Sequence, residues 1–373
     1  MSLVRRTFVS TSLLALSTAL VVHSKPLICY AMMTTLSNTK NHPNQNESAA
    51  LTDTAPGGIF RNTGSRLVYG KDDALFGSIE QLQGQKPFGH ILDAGTGLHS
   101  LRWIATLGEE RGMTQFTAIT ADRTMQQNVQ REVDALNVSH MGNVVIGNWF
   151  PSSSSSTTTT TIITTTGGDG GQSSPLDFPP NTFDVILADY LIGAMDGFSP
   201  YQQDLMIPKL SKYLKPGGML YIVGLQPIPD VAEGHANIIC RVRQVRDACI
   251  LLAGHRCYRE YPVEWIQRQV QQWDPLELVT TTQFPILYKH ATILNQINVG
   301  RSKFSYFPTP ELAKEMKKVL DDLERQSIQA FQTVERIKLG FDYIVTARKK
   351  DSKEHNGNDD APVNGGDNSA MRR

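Results

Sequence analysis

Short apolar runs alternate with amphipathic segments along the chain from about residue 88 to residue 226. Apolar runs bounded by turn residues predict buried strands, and apolar positions at helical spacing predict helices between them. Such alternation is typical of a parallel sheet, so the pattern predicts a doubly wound α/β domain. The predicted strands are residues 90–93, 116–121, 143–147, 183–188 and 219–225, and the predicted helices are residues 98–107, 124–136 and 201–214.

The chain beyond residue 226 contains further helical and extended patterns. Isoleucine, cysteine and leucine at helical spacing predict an amphipathic helix over residues 237–252 that stops at Gly254. A second helix is predicted from Pro310 to about Lys338, because Thr309 suits the N-cap and Gly340 follows the end. We expect this helix to cover the substrate mouth or to pack on the sheet, with a dimer interface as the alternative. Further strands are predicted at residues 276–284 and 341–348.

The two ends of the chain and one internal segment differ from the rest in composition. No acidic residue precedes Glu47, and the apolar run after Arg5 and Arg6 is typical of a targeting leader. Residues 151–180 are rich in Ser, Thr and Gly, and the tail at 349–373 is polar, so neither is expected to order itself. The predicted organisation is a leader and disordered segment at 1–56, one domain at 57–348 with a low-complexity insertion at 151–180 and a helical insertion at about 285–340, and a disordered tail at 349–373.

The leader predicts delivery to an organelle, with a plastid or the secretory pathway favoured over a mitochondrion. Membrane contact is expected only if the apolar segment stays uncleaved, because it is close to the ~17-residue lower limit for a span. Lysine plus arginine and aspartate plus glutamate each number 36, so no net charge favours nucleic acid as a partner. The four cysteines have no CxxC spacing, and we expect neither a disulfide framework nor a metal site.

A carboxylate beside a glycine loop is the most informative local feature of the sequence. In HILDAGTGLHS, a strand that ends at Asp93 leads through Gly95-Thr96-Gly97 into a helix, and ligands approach the backbone at such helix N-termini. Asp93 would repel a pyrophosphate but attract an ammonium or sulfonium group. Ser100 stands at the third glycine position of dinucleotide loops. These features favour S-adenosylmethionine as the ligand and disfavour a nicotinamide-dependent enzyme.

Asp122 gives the second predicted strand an acidic end as well. At that place a carboxylate can accept hydrogen bonds from both ribose hydroxyls of a bound nucleoside. Acids at the ends of two adjacent strands are a more specific signal than the glycines alone. Either aspartate also suits a helix N-cap, and capping alone is the alternative for Asp93 and Asp122.

The chain resembles class I S-adenosylmethionine-dependent methyltransferases in four motifs that occur in the family's order. These motifs are ILDAGTG, AITAD, FDVILAD and LSKYLKPGGMLYIV, and a final FDYIVTAR strand follows them. The resemblance implies a Rossmann-like seven-stranded sheet of order 3-2-1-4-5-7-6, with an antiparallel last strand and helices on both faces. It also implies that Asp93 holds the methionine amino group. The other residues that it assigns to the cofactor are Gly95, Thr96 and Gly97 under the methionine and ribose, Asp122 at the ribose, and Arg123 beside the adenine.

The residues after the third predicted strand depart from the family pattern, which often places an acid there against the adenine amino group. This sequence has Gly147-Asn148-Trp149 instead. Asn148 can make the same contact through its side-chain oxygen, and Trp149 can stack on the adenine ring. The alternative for Trp149 is a core residue.

Asp189 and Tyr190 follow the fourth predicted strand, where ligands bind in sheets of this type. Leu191 and Ile192 come next, so the Asn/Asp-Pro-Pro-aromatic motif of base-methylating enzymes is absent. We expect Asp189 to orient or deprotonate a substrate hydroxyl and Tyr190 to shape the pocket. Helix capping by Asp189 and packing of Tyr190 are the alternatives.

The turn GHRCYREY supplies a third catalytic candidate, because the imidazole of His255 titrates near neutral pH and suits a general base. A histidine satisfied at a helix end is the alternative. The preceding helix carries three arginines that either reach an anionic substrate or form a solvated face. They are Arg241, Arg243 and Arg246.

These features predict an S-adenosylmethionine-dependent methyltransferase that acts on an O, N or C nucleophile, because methyl transfer needs mainly alignment and, for a hydroxyl, proton removal. The absent base-binding motif, the neutral charge and the elaborated region after the fifth strand favour a small-molecule acceptor. The alternatives are a catalytically silent cofactor-binding or assembly protein and a methyltransferase of RNA or protein. The oligomeric state is left open by the sequence.

Overall fold

A computed structural model of the chain describes residues 74–150 and 176–351. The predicted leader, most of the low-complexity insertion and all but the start of the C-terminal tail lie outside these residues. Within the described ranges, none of the helices combines the length and the apolarity needed to cross a bilayer.

Seven strands within the described residues form one mixed sheet. They are β1 (Gly89–Asp93), β2 (Met113–Thr120), β3 (Gly142–Ile146), β4 (Phe183–Asp189), β5 (Leu214–Leu225), β6 (Leu276–Tyr288) and β7 (Ile337–Lys349). Their order is β3-β2-β1-β4-β5-β7-β6, and β7 runs antiparallel to both of its neighbours while β1 to β5 pair in parallel. The doubly wound fold, its strand order and its reversed last strand are therefore confirmed.

Helices cover both faces of this sheet. The described helices are α1 (Ala74–Gln83), α2 (Leu98–Leu107), α3 (Arg123–Ala135), α4 (Leu191–Phe198), α5 (Met206–Tyr213), α6 (Asn237–Leu252), α7 (Val263–Gln272), α8 (His290–Arg301) and α9 (Pro310–Phe331). Successive strand residues point to opposite faces, and Ile91 and Leu92 of β1 accordingly belong to two different cores. Side chains of α1, α2 and α3 fill the core with Ile91, and side chains of α4, α5 and α7 fill the core with Leu92.

The sequence pattern predicts α2 and α6 with the observed bounds but misses α1, α4, α7 and α8. α4 begins directly after β4, and α5 is shorter than the helix predicted at residues 201–214. The sequence of α4 contains two glycines, which disfavour a helix, yet five of its eight residues are buried. Its helical form therefore depends on packing against the sheet rather than on local propensity.

The beginning of the last helix is confirmed, because Thr309 Oγ1 accepts a hydrogen bond from the Leu312 N–H at 3.2 Å. The predicted end near Lys338 is wrong. Ile337 opposes Tyr288 in the antiparallel ladder of β7 and β6, so the sheet takes the residues that would extend the helix. α9 packs with α6 and α8 in a third core, which also contains Tyr288 of β6 and Ile337 of β7.

Candidate active site

The glycine loop between β1 and α2 is fixed to the strands on both sides of β1. The Ala94 N–H donates to Leu187 O at 2.8 Å, and the Thr96 N–H donates to Ile119 O at 2.7 Å. Gly97 has an extended backbone, and α2 begins at the next residue. The predicted strand–loop–helix geometry is present. A Cβ on Gly95 would lie 2.9 Å from Leu191 Cδ1, so the glycine lets the loop pack closely against α4 without a shift of that side chain.

Asp93 is fully buried at the end of β1. The Ser100 hydroxyl donates to Asp93 Oδ2 at 2.7 Å, but Oδ1 has no hydrogen-bond partner among the described residues. Burial raises the pKa of this carboxyl to about 7, the hydrogen bond from Ser100 lowers it, and the nearby charge of Asp189 raises it. The Thr96 hydroxyl and the Gly95 N–H lie close enough to lower it further, although neither reaches Oδ1 with the geometry of a hydrogen bond. A buried acceptor without a partner is costly, so Oδ1 is suited to an external donor or cation.

Asp122 lies two residues beyond the end of β2 and caps α3, where its Oδ1 accepts a hydrogen bond from the Met125 N–H at 2.9 Å. The capping alternative is thus observed for this residue. The polar atom at the strand end itself is Thr120 Oγ1, which is buried without a partner among the described residues. Arg123 is exposed on the first turn of α3. Thr120 was missed because a threonine in a strand is ordinary.

Trp149 is a core residue, which is the alternative to its predicted stacking on adenine. Its side chain is 4% exposed, and the indole Nε1 donates to Ala94 O at 2.7 Å. It packs near Phe178 and Tyr213, within the core that Leu176 joins after the low-complexity segment. Trp149 therefore supports the glycine loop from behind.

Asn148 is also committed to the protein. Its Nδ2 donates to Phe198 O at 2.9 Å, and its Oδ1 accepts from the Ser199 hydroxyl. The side chain ties the end of β3 to the end of α4. The oxygen that was expected to contact adenine already has a partner.

Asp189 and Tyr190 lie at the predicted edge of the sheet. Asp93 of β1 is opposite Leu187 of β4. Asp189 is two residues after Leu187, and side chains alternate along a strand, so the carboxylates of Asp93 and Asp189 lie on the same face of the sheet. Asp189 is 7% exposed and makes no hydrogen bond through its side chain within the described residues, and burial raises its pKa to about 6. Tyr190 has a left-handed backbone, with φ 48°, and its hydroxyl donates to the Asp342 carboxylate.

A cavity of about 230 Å³ lies beside these two residues and reaches the start of α2 at Gly97 and His99. Its other walls are the carboxyl end of β5 and residues of α6 and α8. Asp342, Glu260 and Tyr288 line it as well, and the sequence pattern did not identify them. Asp342 arrives there because β7 is reversed, which sets its amino end against the carboxyl end of β5.

His255 does not line the cavity. Its backbone N–H donates to Ile250 O at the end of α6, and its ring lies 4.9 Å from the Tyr306 ring, so the helix-end alternative is observed. Burial and the charge of Lys303 lower the pKa of this imidazole. The Nδ1 atom of this ring is buried without a partner within the described residues. The structure thus places His255 outside the cavity that Asp189 and Tyr190 line, and its role as a general base stays a prediction.

Two of the three arginines on α6 face the cavity rather than solvent alone. Arg246 is 6% exposed, and its Nε donates to Asp247 at 2.8 Å. Arg243 pairs with Asp230 at 3.0 Å and with Asp247 at 3.8 Å. Arg241 does not line the cavity.

No protein-family model and no curated protein matches the sequence. Among solved structures, the chain is similar to the YcgJ protein of Bacillus subtilis, with a TM-score of 0.43 and 13% identity over 74% of this chain and 98% of that chain. It is similar to the [4+2]-cyclase SpnF, with a TM-score of 0.42 and 14% identity over 79% and 87% of the two chains. It is also similar to a SAM-dependent methyltransferase of Thiobacillus denitrificans in complex with S-adenosyl-L-homocysteine, with a TM-score of 0.38 and 13% identity over 74% of this chain and 90% of that chain. The likeness is one of fold.

Proposed function

We propose that the protein binds S-adenosylmethionine and transfers its methyl group to a small molecule held in the cavity beside Asp189. The observation that carries this proposal is the unpartnered Oδ1 of Asp93, buried beside the glycine loop. An ammonium group both donates a hydrogen bond and compensates a buried carboxylate, as the amino end of this cofactor would.

The residues present fit the methionine end of the cofactor better than its adenosine end. Asp93 and the loop Gly95-Thr96-Gly97 would hold the methionine end. Thr120 Oγ1 offers a second unpartnered polar atom at the end of the neighbouring strand, where a ribose hydroxyl is a suitable partner. Asn148 and Trp149 have partners within the protein and are not assigned to the adenine. When bound, the cofactor supplies a methyl carbon activated by a positive sulfur.

The chain's own residues position and deprotonate the acceptor. The cavity adjoins the glycine loop, so a molecule in it is held beside the cofactor's place, and such alignment is the largest demand of the reaction. The Asp189 carboxylate lines the same cavity with a pKa of about 6, near the range in which a general base is effective. Tyr190 is held by its hydrogen bond to Asp342 and fixes the wall next to Asp189.

The size of the cavity supports a small-molecule acceptor. At about 230 Å³ it is below the roughly 300–1,000 Å³ typical of drug-sized ligand pockets. Residues of α6 and α8, the helices that follow β5 and β6, form part of its wall. Delivery to an organelle stays a proposal from the leader sequence, which lies outside the described residues.

Transfer of a labelled methyl group tests this function. The full chain is incubated with methyl-labelled S-adenosylmethionine and a cell extract separated into small molecules, RNA and protein. We expect label in the small-molecule fraction, and we expect Asp189→Asn to lower its rate about 100-fold, as loss of a general base does. Asp274→Asn, at an exposed carboxylate that pairs with Lys350, serves as the control. Label in RNA or protein instead would contradict the proposal, and cofactor binding without any labelled product would favour the silent alternative.

A further inference from the structure

The cavity beside Asp189 is lined by three carboxylates that the protein neutralises only in part. Asp189, Asp342 and Glu260 line it, and no lysine is among the described residues that do so. Arg243 and Arg246 also line it, but both already pair with Asp247, which lies outside the lining. His99 lines the cavity too, and its charge lowers the pKa of Asp189, as the charges of Arg246 and Arg243 lower that of Glu260. A ligand that enters therefore meets three carboxylates whose charge these groups offset only in part.

These carboxyls are in an environment that penalises their charge. Burial raises the pKa of Asp189 and of Asp342 to about 6, and it also raises the pKa of Glu260. The charge of Asp342 adds to the effect on Asp189. Asp189 is more than nine-tenths buried and accepts no hydrogen bond from the described residues. A cation in the cavity would offset this cost, whereas a neutral hydroxyl would only hydrogen-bond to the carboxylates.

Aromatic rings are the second feature that points to a cation. Five tyrosines line the cavity, and aromatic faces attract ammonium groups through their negative electrostatic potential. The Tyr258 hydroxyl is buried and has no partner within the described residues, so a polar group of the ligand has a partner there. The five are Tyr190, Tyr258, Tyr261, Tyr288 and Tyr343.

We propose that the cavity binds a small amine in its ammonium form, with Asp189 as the direct partner of the nitrogen. The apolar body of the amine packs on isoleucines of the cavity wall, among them Ile192, Ile239 and Ile286. The role of this amine as the methyl acceptor rests on the proposed function, because the ammonium must first give one proton to the Asp189 carboxylate, which frees the nitrogen lone pair to accept the methyl group. The binding of the amine does not rest on it.

Ligand-observed NMR titration of the full chain without cofactor tests the proposal. The probes are hexylamine, hexan-1-ol and hexanoate, which share a chain length and differ in charge. At pH 8 the amine is a cation and the buried carboxyls are ionised. We expect hexylamine to bind at least about tenfold more tightly than hexan-1-ol, the effect of one added charge pair in a partly buried site. Equal affinities, tighter binding of hexanoate, or no binding of hexylamine would overturn the proposal.

Substitution of the proposed partner gives a second, independent readout. Asp189→Asn should weaken hexylamine about tenfold and leave hexan-1-ol unchanged, because only the charge is removed. Asp274→Asn should change neither. If Asp189→Asn does not fold, the affinities of hexylamine, hexan-1-ol and hexanoate for the parent protein still test whether the cavity prefers a cation. Amine binding by a protein that does not bind S-adenosylmethionine would reject the proposed function alone, and methylation of hydroxyls without amine preference would reject only this inference.

Discussion

Asp93→Asn is expected to become more stable relative to the parent protein as the pH rises, by about 4 kcal/mol in unfolding free energy between pH 4 and pH 8. Burial raises the pKa of Asp93 from 3.8 to about 7, and this difference corresponds to about 4 kcal/mol at 1.36 kcal/mol per pKa unit. In the folded protein the carboxyl binds its proton up to about pH 7, while in the unfolded chain it ionises near pH 4. The parent protein therefore loses stability between those values, and asparagine, which has no charge, does not.

Urea unfolding at pH 4, 6 and 8 measures this effect. The asparagine oxygen can still accept the hydrogen bond from Ser100, so the local packing is retained. Asp274→Asn, at an exposed carboxylate, should show no such gain with pH. A stability difference that does not change with pH would show that Asp93 is not a buried carboxyl lacking a partner. A pH-dependent gain is what a functional residue gives when it is retained at a cost to stability.

Trp149→Ala is expected to lower the free energy of unfolding by about 3–5 kcal/mol. The side chain is 4% exposed and packs near Phe178 and Tyr213, so its removal leaves a large cavity. Trp149→Phe should lower it by about 1–3 kcal/mol, because Ala94 O loses its hydrogen bond from the indole.

Urea unfolding measures the free energy of unfolding of the two Trp149 variants, with Trp273→Ala as the control. Trp273 is 39% exposed at the end of α7, and its replacement should change stability by about 0.5 kcal/mol or less. Unchanged stability of Trp149→Ala, together with weaker binding of S-adenosylmethionine, would contradict a core role and restore the contact with adenine.

Local patterns were sufficient for most of the strands and for the glycine loop, whereas the order of the sheet came from the resemblance in the motifs. The strands β1, β2, β4 and β5 are largely buried apolar runs, and β3 is only partly buried. Asp93 stood out because a carboxylate beside a glycine loop repels a pyrophosphate but attracts an ammonium or sulfonium group. Asp189 was identified because it is an acid at the carboxyl end of a buried strand, where ligands bind in sheets of this type.

The rest of the candidate site depends on tertiary structure. Asp342 reaches Tyr190 only because β7 is reversed beside β5, and Glu260 comes from an irregular segment. Asp122 and Trp149 were each compatible with a ligand or a structural role, and the structure shows the structural contacts of both, at the ends of β2 and β3. Asp122 lies beyond its strand at a helix start, and Trp149 turns back to Ala94 O.

Calorimetric titration of the full chain with S-adenosylmethionine at pH 8 tests the central claim most directly. The parent protein should bind with micromolar affinity and should not bind NADH. Asp93→Asn should bind about 100-fold more weakly, because it loses a charge pair in a buried site, although the variant is expected to be the more stable protein at that pH. No binding by the folded parent protein, or equal binding by the variant, would contradict the assignment of Asp93 and the glycine loop to this cofactor.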